Sequence, residues 1–422
     1  MRHICLAVLI ALSVTGCSAY GSESARNLPP INRVIMLCVD TFRADQVRED
    51  LTPNLYRLAH QSVYYTNCRS AAPWTLPSTT ATFTGKYPSY AGAIDKYDNL
   101  PDAEITLAKV FQQNGWTTAG LSANALVSKS HGYDSGFDQF TAKGQLKAEN
   151  FVNRTINMIE GLGDQNYYLY LHMFDPHTPY AAPQYQVDKW RRGSGRFTSM
   201  FNLGYTLHAK EITITEGEAE QIRGLYDAEC AYADFQIGRL IRYLKENDLW
   251  DDTMFIFFSD HGEELGEHDD WFHDHTLHDT VMRVPLTVRF PETEAYTVDE
   301  LSSLRQIGQI MFERLGFRYP SQFEFNGIHY IEGVKRGEEQ KGIISPDMWK
   351  LFVMMESREV FFYDLNNDPA EVNNLWDPND EHADGMLREM NDIFFNTPET
   401  GSGQAIPTEE QLEELRALGY IQ

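Results

Sequence analysis

Three near-continuous apolar runs, each ending in acidic and histidine side chains, constrain this chain more than any other feature. Val34–Val39 is followed by Asp40; Tyr167–Met173 carries His172 and is followed by Asp175 and His177; Met254–Phe258 is followed by Asp260 and His261. A half-exposed strand alternates apolar and polar residues, whereas a continuous run marks a strand buried on both faces, as in a parallel sheet. Thr117–Leu121 and Val284–Phe290 read the same way. Ile222, Tyr226, Ala233, Ile237, Ile241 and Leu244 form a helical stripe that ends near Asn247. The class predicted is α/β, a central mostly parallel sheet flanked by helices. In such sheets functional groups gather beyond the carboxyl ends of the strands. Three Asp/His clusters at equivalent strand ends therefore predict a metal site assembled from remote segments.

Size allows one large domain and a smaller one within 422 residues. The body is expected over 31–326. After Gly327, short strand signals and a Pro- and Asn-rich tail predict a smaller C-terminal α+β subdomain over 327–422. Gln184–Gly217, with its Arg and aromatic residues, reads as a long insertion of the kind that shapes clefts. The 35 Lys and Arg against 61 Asp and Glu give a formal charge of −26. That excludes non-specific nucleic-acid binding. It also means that an anionic substrate needs a local positive centre, which a metal supplies.

The N-terminus reads as a targeting segment. Arg2 and His3 precede the apolar run Ile4–Val14, too short to span a bilayer. The run ends at Val14-Thr15-Gly16-Cys17, which resembles a bacterial lipobox, so residues 1–17 are expected to be a lipoprotein signal with Cys17 as the lipidated residue. Residues 18–30 are expected to be a tether. Lipid anchoring in a bacterial cell envelope follows, at the periplasmic face of the outer membrane or at the cell surface. With Cys5 and Cys17 set aside, Cys38, Cys68 and Cys230 give no disulfide framework.

Trp74-Thr75-Leu76-Pro77-Ser78 precedes a predicted helix, with Pro77 suited to its first turn. Thr75 at a helix N-terminus reads in two ways. It caps the helix, or its hydroxyl is a nucleophile beside backbone N–H groups that favour an anionic ester.

Several ordered motifs resemble the sulfatase family of the alkaline-phosphatase superfamily. They are Val39-Asp40-Thr41-Phe42-Arg43-Ala44-Asp45, Thr75-Leu76-Pro77-Ser78 through Phe83-Thr84-Gly85-Lys86-Tyr87-Pro88, Asp175-Pro176-His177-Thr178-Pro179-Tyr180, and Ser259-Asp260-His261-Gly262-Glu263. Leu265-Gly266-Glu267-His268, His273 and Arg283-Val284-Pro285-Leu286 extend the last. Trp349-Lys350-Leu351, Tyr363-Asp364-Leu365 and Leu415-Leu418-Gly419-Tyr420 are similar to its C-terminal pattern. The resemblance departs at the nucleophile. Formylglycine sulfatases carry Cys or Ser there, with Pro and Arg two and four residues later. Here the position is Thr75, Pro77 is kept and Thr79 stands in place of Arg; Cys68 is followed by Ser70 and Ala72 at those offsets. Thr cannot yield the formylglycine aldehyde, and Thr at this position is similar to superfamily phosphodiesterases and transferases. Thr41 also replaces an Asp of calcium-binding members.

The resemblance implies a metal held by Asp40, Thr75, Asp260 and His261. Carboxylate, alkoxide and imidazole donors favour zinc or manganese over calcium, with one or two ions. His177 and His273 are implied as catalytic, either as general acids or as ligands of a second ion. Lys86, Asn124 and His268 are the candidate substrate-binding residues. Each also reads blandly: Lys86 as a loop support, Asn124 as a loop cap, and His268, with His275 and His278, as part of a solvated loop. Glu263, Glu264 and Glu267 read as a charged face. The expected activity is hydrolysis of phosphoric (di)esters or phosphonate esters on a small-molecule, lipid or glycan substrate. Sulfate-ester hydrolysis, headgroup transfer and non-enzymatic glycan binding are the alternatives.

Overall fold

The computed structural model describes residues 30–197, 213–333, 336–396 and 403–404. Cys17 with its signal segment, the tether before Pro30, residues 198–212 of the expected insertion and the Leu415–Tyr420 motif lie outside the described residues.

An eight-stranded sheet organises the body. In chain order its strands are β1 (Arg33–Val39), β2 (Val63–Tyr65), β3 (Thr117–Ser122), β4 (Gln139–Ala142), β5 (Tyr167–Met173), β6 (Thr253–Phe258), β7 (Leu286–Arg289) and β8 (Tyr296–Val298). The spatial order is β8-β2-β7-β6-β1-β5-β3-β4. β1 runs parallel to β5 and β6, and β3 parallel to β5 and β4. β7, read from sequence as Val284–Phe290, is shorter and antiparallel to β6 and β2. The sheet is therefore mostly parallel, as the apolar runs predict.

The alternation hidden inside β1 shows why its run is continuous. Ile35, Leu37 and Val39 enter one core, beneath α2 (Ala148–Leu162) and α3 (Glu216–Glu246). Val34, Met36 and Cys38 enter the other, beneath α1 (Thr75–Thr84) and the helix Ile307–Leu315. A strand with a core on each face has no solvent side to make polar. α3 starts with a capping box, Thr215 with Glu218, and ends at Asn247. The end of the expected insertion is therefore already helix, and the helix Gln184–Trp190 packs on it.

α1 is rich in β-branched Thr, a poor helix former, yet every residue in it is buried. Its hydroxyls meet that cost locally: Thr80, Thr82 and Thr84 donate to the carbonyls of Leu76, Ser78 and Thr80 at 2.8–2.9 Å. Gly85 ends the helix with φ 69°, a left-handed cap that glycine adopts without strain.

β9 (His329–Glu332), β10 (Gln340–Ile344), β11 (Trp349–Met354) and β12 (Val360–Asp364) form an antiparallel sheet backed by α4 (Glu381–Asn396). Its first strand follows the expected boundary at Gly327. One apolar cluster joins Ile331, Ile344, Phe352 and Tyr363 to Leu277, Met282 and Leu301 of the body. No helix among the described residues is long and apolar enough to cross a membrane.

Candidate active site

The register of the three central strands builds the site. Cys38 lies opposite both His172 on β5 and Phe258 on β6, so Asp40, His172 and Asp260 emerge at one edge. Asp40 N–H continues the ladder to the Met173 carbonyl at 3.0 Å. Loops then fix each side chain. The Tyr226 hydroxyl of α3 donates to the Thr41 carbonyl at 2.7 Å, and Thr41 has φ 57°, a strained conformation for a β-branched residue and one that gathers at functional sites. The Ser78 hydroxyl holds the Asp260 carbonyl at 2.6 Å. Gly262 N–H bonds the Val281 carbonyl at 2.6 Å, and a Cβ there would lie 2.4 Å from the Thr280 carbonyl oxygen. Only glycine lets the loop after His261 pass so closely.

Three donor atoms converge on one point. His261 Nε2 lies 3.6 Å from Asp40 Oδ1 and 3.6 Å from Asp260 Oδ2. Both carboxylate oxygens are buried and lack a hydrogen-bond partner. His261 Nδ1 donates to the Gly262 carbonyl at 3.0 Å, which leaves the Nε2 lone pair on the inner side. Asn124 Nδ2 donates to Asp40 Oδ2 at 2.6 Å, turning Oδ1 inward. Thr75 Oγ1 lies 3.4 Å from His261 Nε2 and 3.4 Å from Asn124 Nδ2. A tetrahedral ion bound at about 2.0–2.2 Å separates its ligands by about 3.3–3.6 Å. The set fits a divalent cation of nitrogen and oxygen preference.

Electrostatics agree with that fit. Burial opposes ionisation of Asp40, but His177, His172 and His261 outweigh it and hold the carboxyl at about 2. Burial, and then the Asp40 charge, push Asp260 well above the usual carboxylate range. Two buried carboxylates this close cannot both ionise without a cation. Burial likewise lowers His177 and His261, with Asp40 partly offsetting it.

Asp40, Thr75, Asn124, Asp260 and His261 thus lie together, Asn124 through its bond to Asp40. Thr75 does not cap its helix: Trp74 is the cap, without a side-chain bond, and Thr75 is the first helical residue with its hydroxyl turned to His261. His177 and His273 join them, the His273 ring lying 4.5 Å from His261 and 4.9 Å from His177. His273 Nδ1 bonds Glu263 Oε1 at 3.0 Å, and Tyr180 donates its hydroxyl to the other oxygen. Glu263 is fully buried, so the charged-face reading is wrong for it. His172 was readable only as part of a strand-end cluster; its Nε2 lies 3.3 Å from Asp40 Oδ2, and its place at the end of β5 was the available signal.

Two expectations are corrected. Lys86 does not reach the site: it follows the ten residues of α1, about 15 Å of helix from Thr75, and its Nζ pairs with Glu104 at 2.6 Å. His268 has both ring nitrogens engaged outside the Thr75 cluster, Nδ1 2.6 Å from Glu264 Oε1 and Nε2 3.1 Å from the Ala370 carbonyl. Lys86→Ala should therefore leave kcat/KM within about twofold, because a half-exposed ion pair distant from the chemistry contributes little; a KM rise of tenfold or more would restore Lys86 to substrate binding.

Comparison with known proteins gives the family and the fold. A family profile described as Sulfatase matches residues 32–316. An arylsulfatase of Clostridium perfringens is 24% identical over 61% of this chain, and the match spans 57% of that enzyme, less than two thirds of its length. An N-acetylglucosamine-6-O-sulfatase of Bacteroides thetaiotaomicron is 22% identical over 77% of this chain and 78% of the enzyme. Among solved structures, one in complex with its substrate D-glucosamine-2-N,6-O-disulfate superposes with TM-score 0.71 at 17% identity, covering 92% of this chain and 98% of that one. A phosphonate monoester hydrolase of Agrobacterium radiobacter superposes with TM-score 0.68 at 18% identity, covering 86% and 94%. At these identities the structural likeness concerns the fold.

Proposed function

The chain belongs to the sulfatase family, and on that premise we propose that it is an exported, metal-dependent hydrolase of phosphoric (di)esters or phosphonate esters with Thr75 as nucleophile. One observation carries the reading: a Thr hydroxyl, not a formylglycine precursor, sits 3.4 Å from His261 Nε2 at the head of α1. Cys68 offers no substitute: Ser70 and Ala72 stand at the offsets where a formylglycine precursor carries Pro and Arg, and burial pushes its thiol up.

A divalent cation held by Asp40, Asp260, His261 and Thr75, zinc or manganese on donor chemistry, would lower the pKa of the Thr75 hydroxyl and offset charge on an ester oxygen. The other residues orient and exchange protons. Asn124 fixes the Asp40 rotamer and can donate to Thr75 Oγ1. Thr75 Oγ1 gives up its proton and attacks in line, the P–O bond to the leaving alcohol breaks, and the phospho-threonine ester that results is hydrolysed by water. His177 and His273 each have Nδ1 committed to an acceptor, the Thr178 carbonyl and Glu263. Nε2 is thus the atom that can take the Thr75 proton and return it to the leaving alcohol.

Purified enzyme loaded with zinc or manganese should cleave an aryl phosphodiester or a phenylphosphonate ester with kcat/KM at least about tenfold above the matching aryl sulfate, a difference of about 1.4 kcal/mol in barrier. The named sulfatase relatives favour the second reading, sulfuric-ester hydrolysis by the same Thr. A reversed preference in that panel establishes it and sinks the phosphoric-ester proposal.

Export and anchoring complete the proposal. Lipidation of Cys17 would hold the enzyme in a bacterial cell envelope through residues 18–30. The full chain should sediment with membranes, and Cys17→Ala should shift it to the soluble fraction; unchanged partition would remove the anchor.

A further inference from the structure

The cluster of His268, His275 and His278 after the site strand is no solvated loop, and the chemistry above does not use it. Its side chains close around the Glu264 carboxylate, which is fully buried. His268 Nδ1 lies 2.6 Å from Oε1 and His275 Nε2 lies 2.8 Å from Oε2. His278 Nδ1 lies 3.9 Å from Oε1, and the Thr280 hydroxyl donates to Oε1 at 3.1 Å. The backbone is strained to achieve this: His268 and Asp269 have φ of 51° and 58°, a left-handed conformation that costs non-glycine residues of order 1–3 kcal/mol.

We propose that Glu264 Oε1, His268 Nδ1 and His278 Nδ1 form a second, non-catalytic divalent-metal site of zinc type, with His275 orienting the carboxylate. Glu264, His268 and His278 each offer one ligand atom, all within 4.8 Å of one another, and tetrahedral zinc needs about 3.3–3.5 Å between ligands. The short contact opens and the long one closes by less than about 1 Å to reach that spacing. Each ligand has an outer partner, as metal sites require. His268 Nε2 donates to the Ala370 carbonyl at 3.1 Å, His278 Nε2 meets the Tyr363 hydroxyl at 3.4 Å, and His275 holds Oε2.

Proton counting favours a metal over an ion-pair hub. Both ring nitrogens of His268 face acceptors, Glu264 and Ala370, and both of His275 do so too, Glu264 and the His273 carbonyl at 3.1 Å. Without a metal, one carboxylate must serve two imidazolium rings, one of them stacked 3.7 Å from His278. A single ion replaces the proton between His268 and Glu264 and recruits His278. On binding, the stacked rings splay and His278 Nδ1 gives up the Thr276 hydroxyl, now at 2.6 Å. The side chains of His268 and His278 are 16% and 12% exposed, so solvent reaches the remaining coordination position. The site would clip the loop bearing His261 and His273 to the C-terminal subdomain at Tyr363 and Ala370. It shares no ligand with the Asp40 centre and does not rest on the ester chemistry.

Zinc stoichiometry tests the site. In an Asp40→Asn, Asp260→Asn background, which disables the first centre, dialysed protein should retain one equivalent of zinc. Adding His268→Gln and His278→Gln should remove it. No retained zinc in the background, or undiminished zinc after the added pair, overturns the proposal. If circular dichroism shows the fourfold variant unfolded, the background carrying His278→Gln alone decides. Zinc Kd should weaken at least about tenfold, and an unchanged Kd overturns the site.

Discussion

Thr75→Ala is expected to abolish turnover, with kcat falling by roughly 10³–10⁶-fold, the range that loss of a nucleophile produces. The substitution removes one hydroxyl and one methyl from the head of α1 and leaves Asp40, Asp260 and His261 in place. Metal content should therefore persist while chemistry stops. Thr75→Ser restores a hydroxyl at the same atom and should recover most of the rate. Steady-state kinetics beside elemental analysis separate the two effects. A Thr75→Ala enzyme with unchanged kcat would falsify the nucleophile and leave a metal-activated water in its place.

The second large effect concerns stability. Lys350 on β11 is fully buried, with Nζ 3.0 Å from Asp279 and 2.8 Å from Glu371. Asp279 also receives Arg69 at 2.6 Å. Lys350→Met keeps the volume but leaves Glu371 facing Asp279 without its cation. Removing one partner of a buried pair costs about 3–5 kcal/mol, read as a lower urea midpoint. The defect should depend on pH. Burial and the Asp279 charge raise Glu371 from 4.5 to about 7, with Lys350 pulling it back. A carboxyl raised in the folded state binds more protons there than when unfolded, so stability falls as pH rises between those values. Without Lys350 the folded value climbs further. The variant should be closest to wild type near pH 5 and weakest above pH 7. Equal losses at both would refute the assignment.

Much of the fold was legible because parallel strands buried on both faces write unbroken apolar runs, and β1, β5 and β6 do so. Their strand-end residues were legible for the same reason. β7 was harder: it covers only Leu286–Arg289, and local sequence says nothing about strand direction. Glu263 and Glu264 read as exposed because a carboxylate usually is; the partners that bury them, Tyr180 and His275, are distant in sequence or hidden in a polar stretch. Lys86 misled because it adjoins the nucleophile segment in sequence, while a helix carries it to the opposite end. Lys350 showed only as part of the Trp349-Lys350-Leu351 motif; its buried ion pairs did not show, since its acids lie on other elements.

The apolar cluster that Leu277, Met282 and Leu301 share with β9–β12 bears on how this scaffold could be redesigned. The C-terminal sheet is not a detachable cassette. Exchanging it for a counterpart from a related enzyme, in the hope of importing a new specificity, would replace Ile331, Ile344, Phe352 and Tyr363, which pack against Leu277 and Met282 of the histidine-bearing loop. A hybrid that keeps its catalytic residues would still have to inherit compatible side chains on both sides of that seam, so sequence drift on the two sides should be correlated rather than independent.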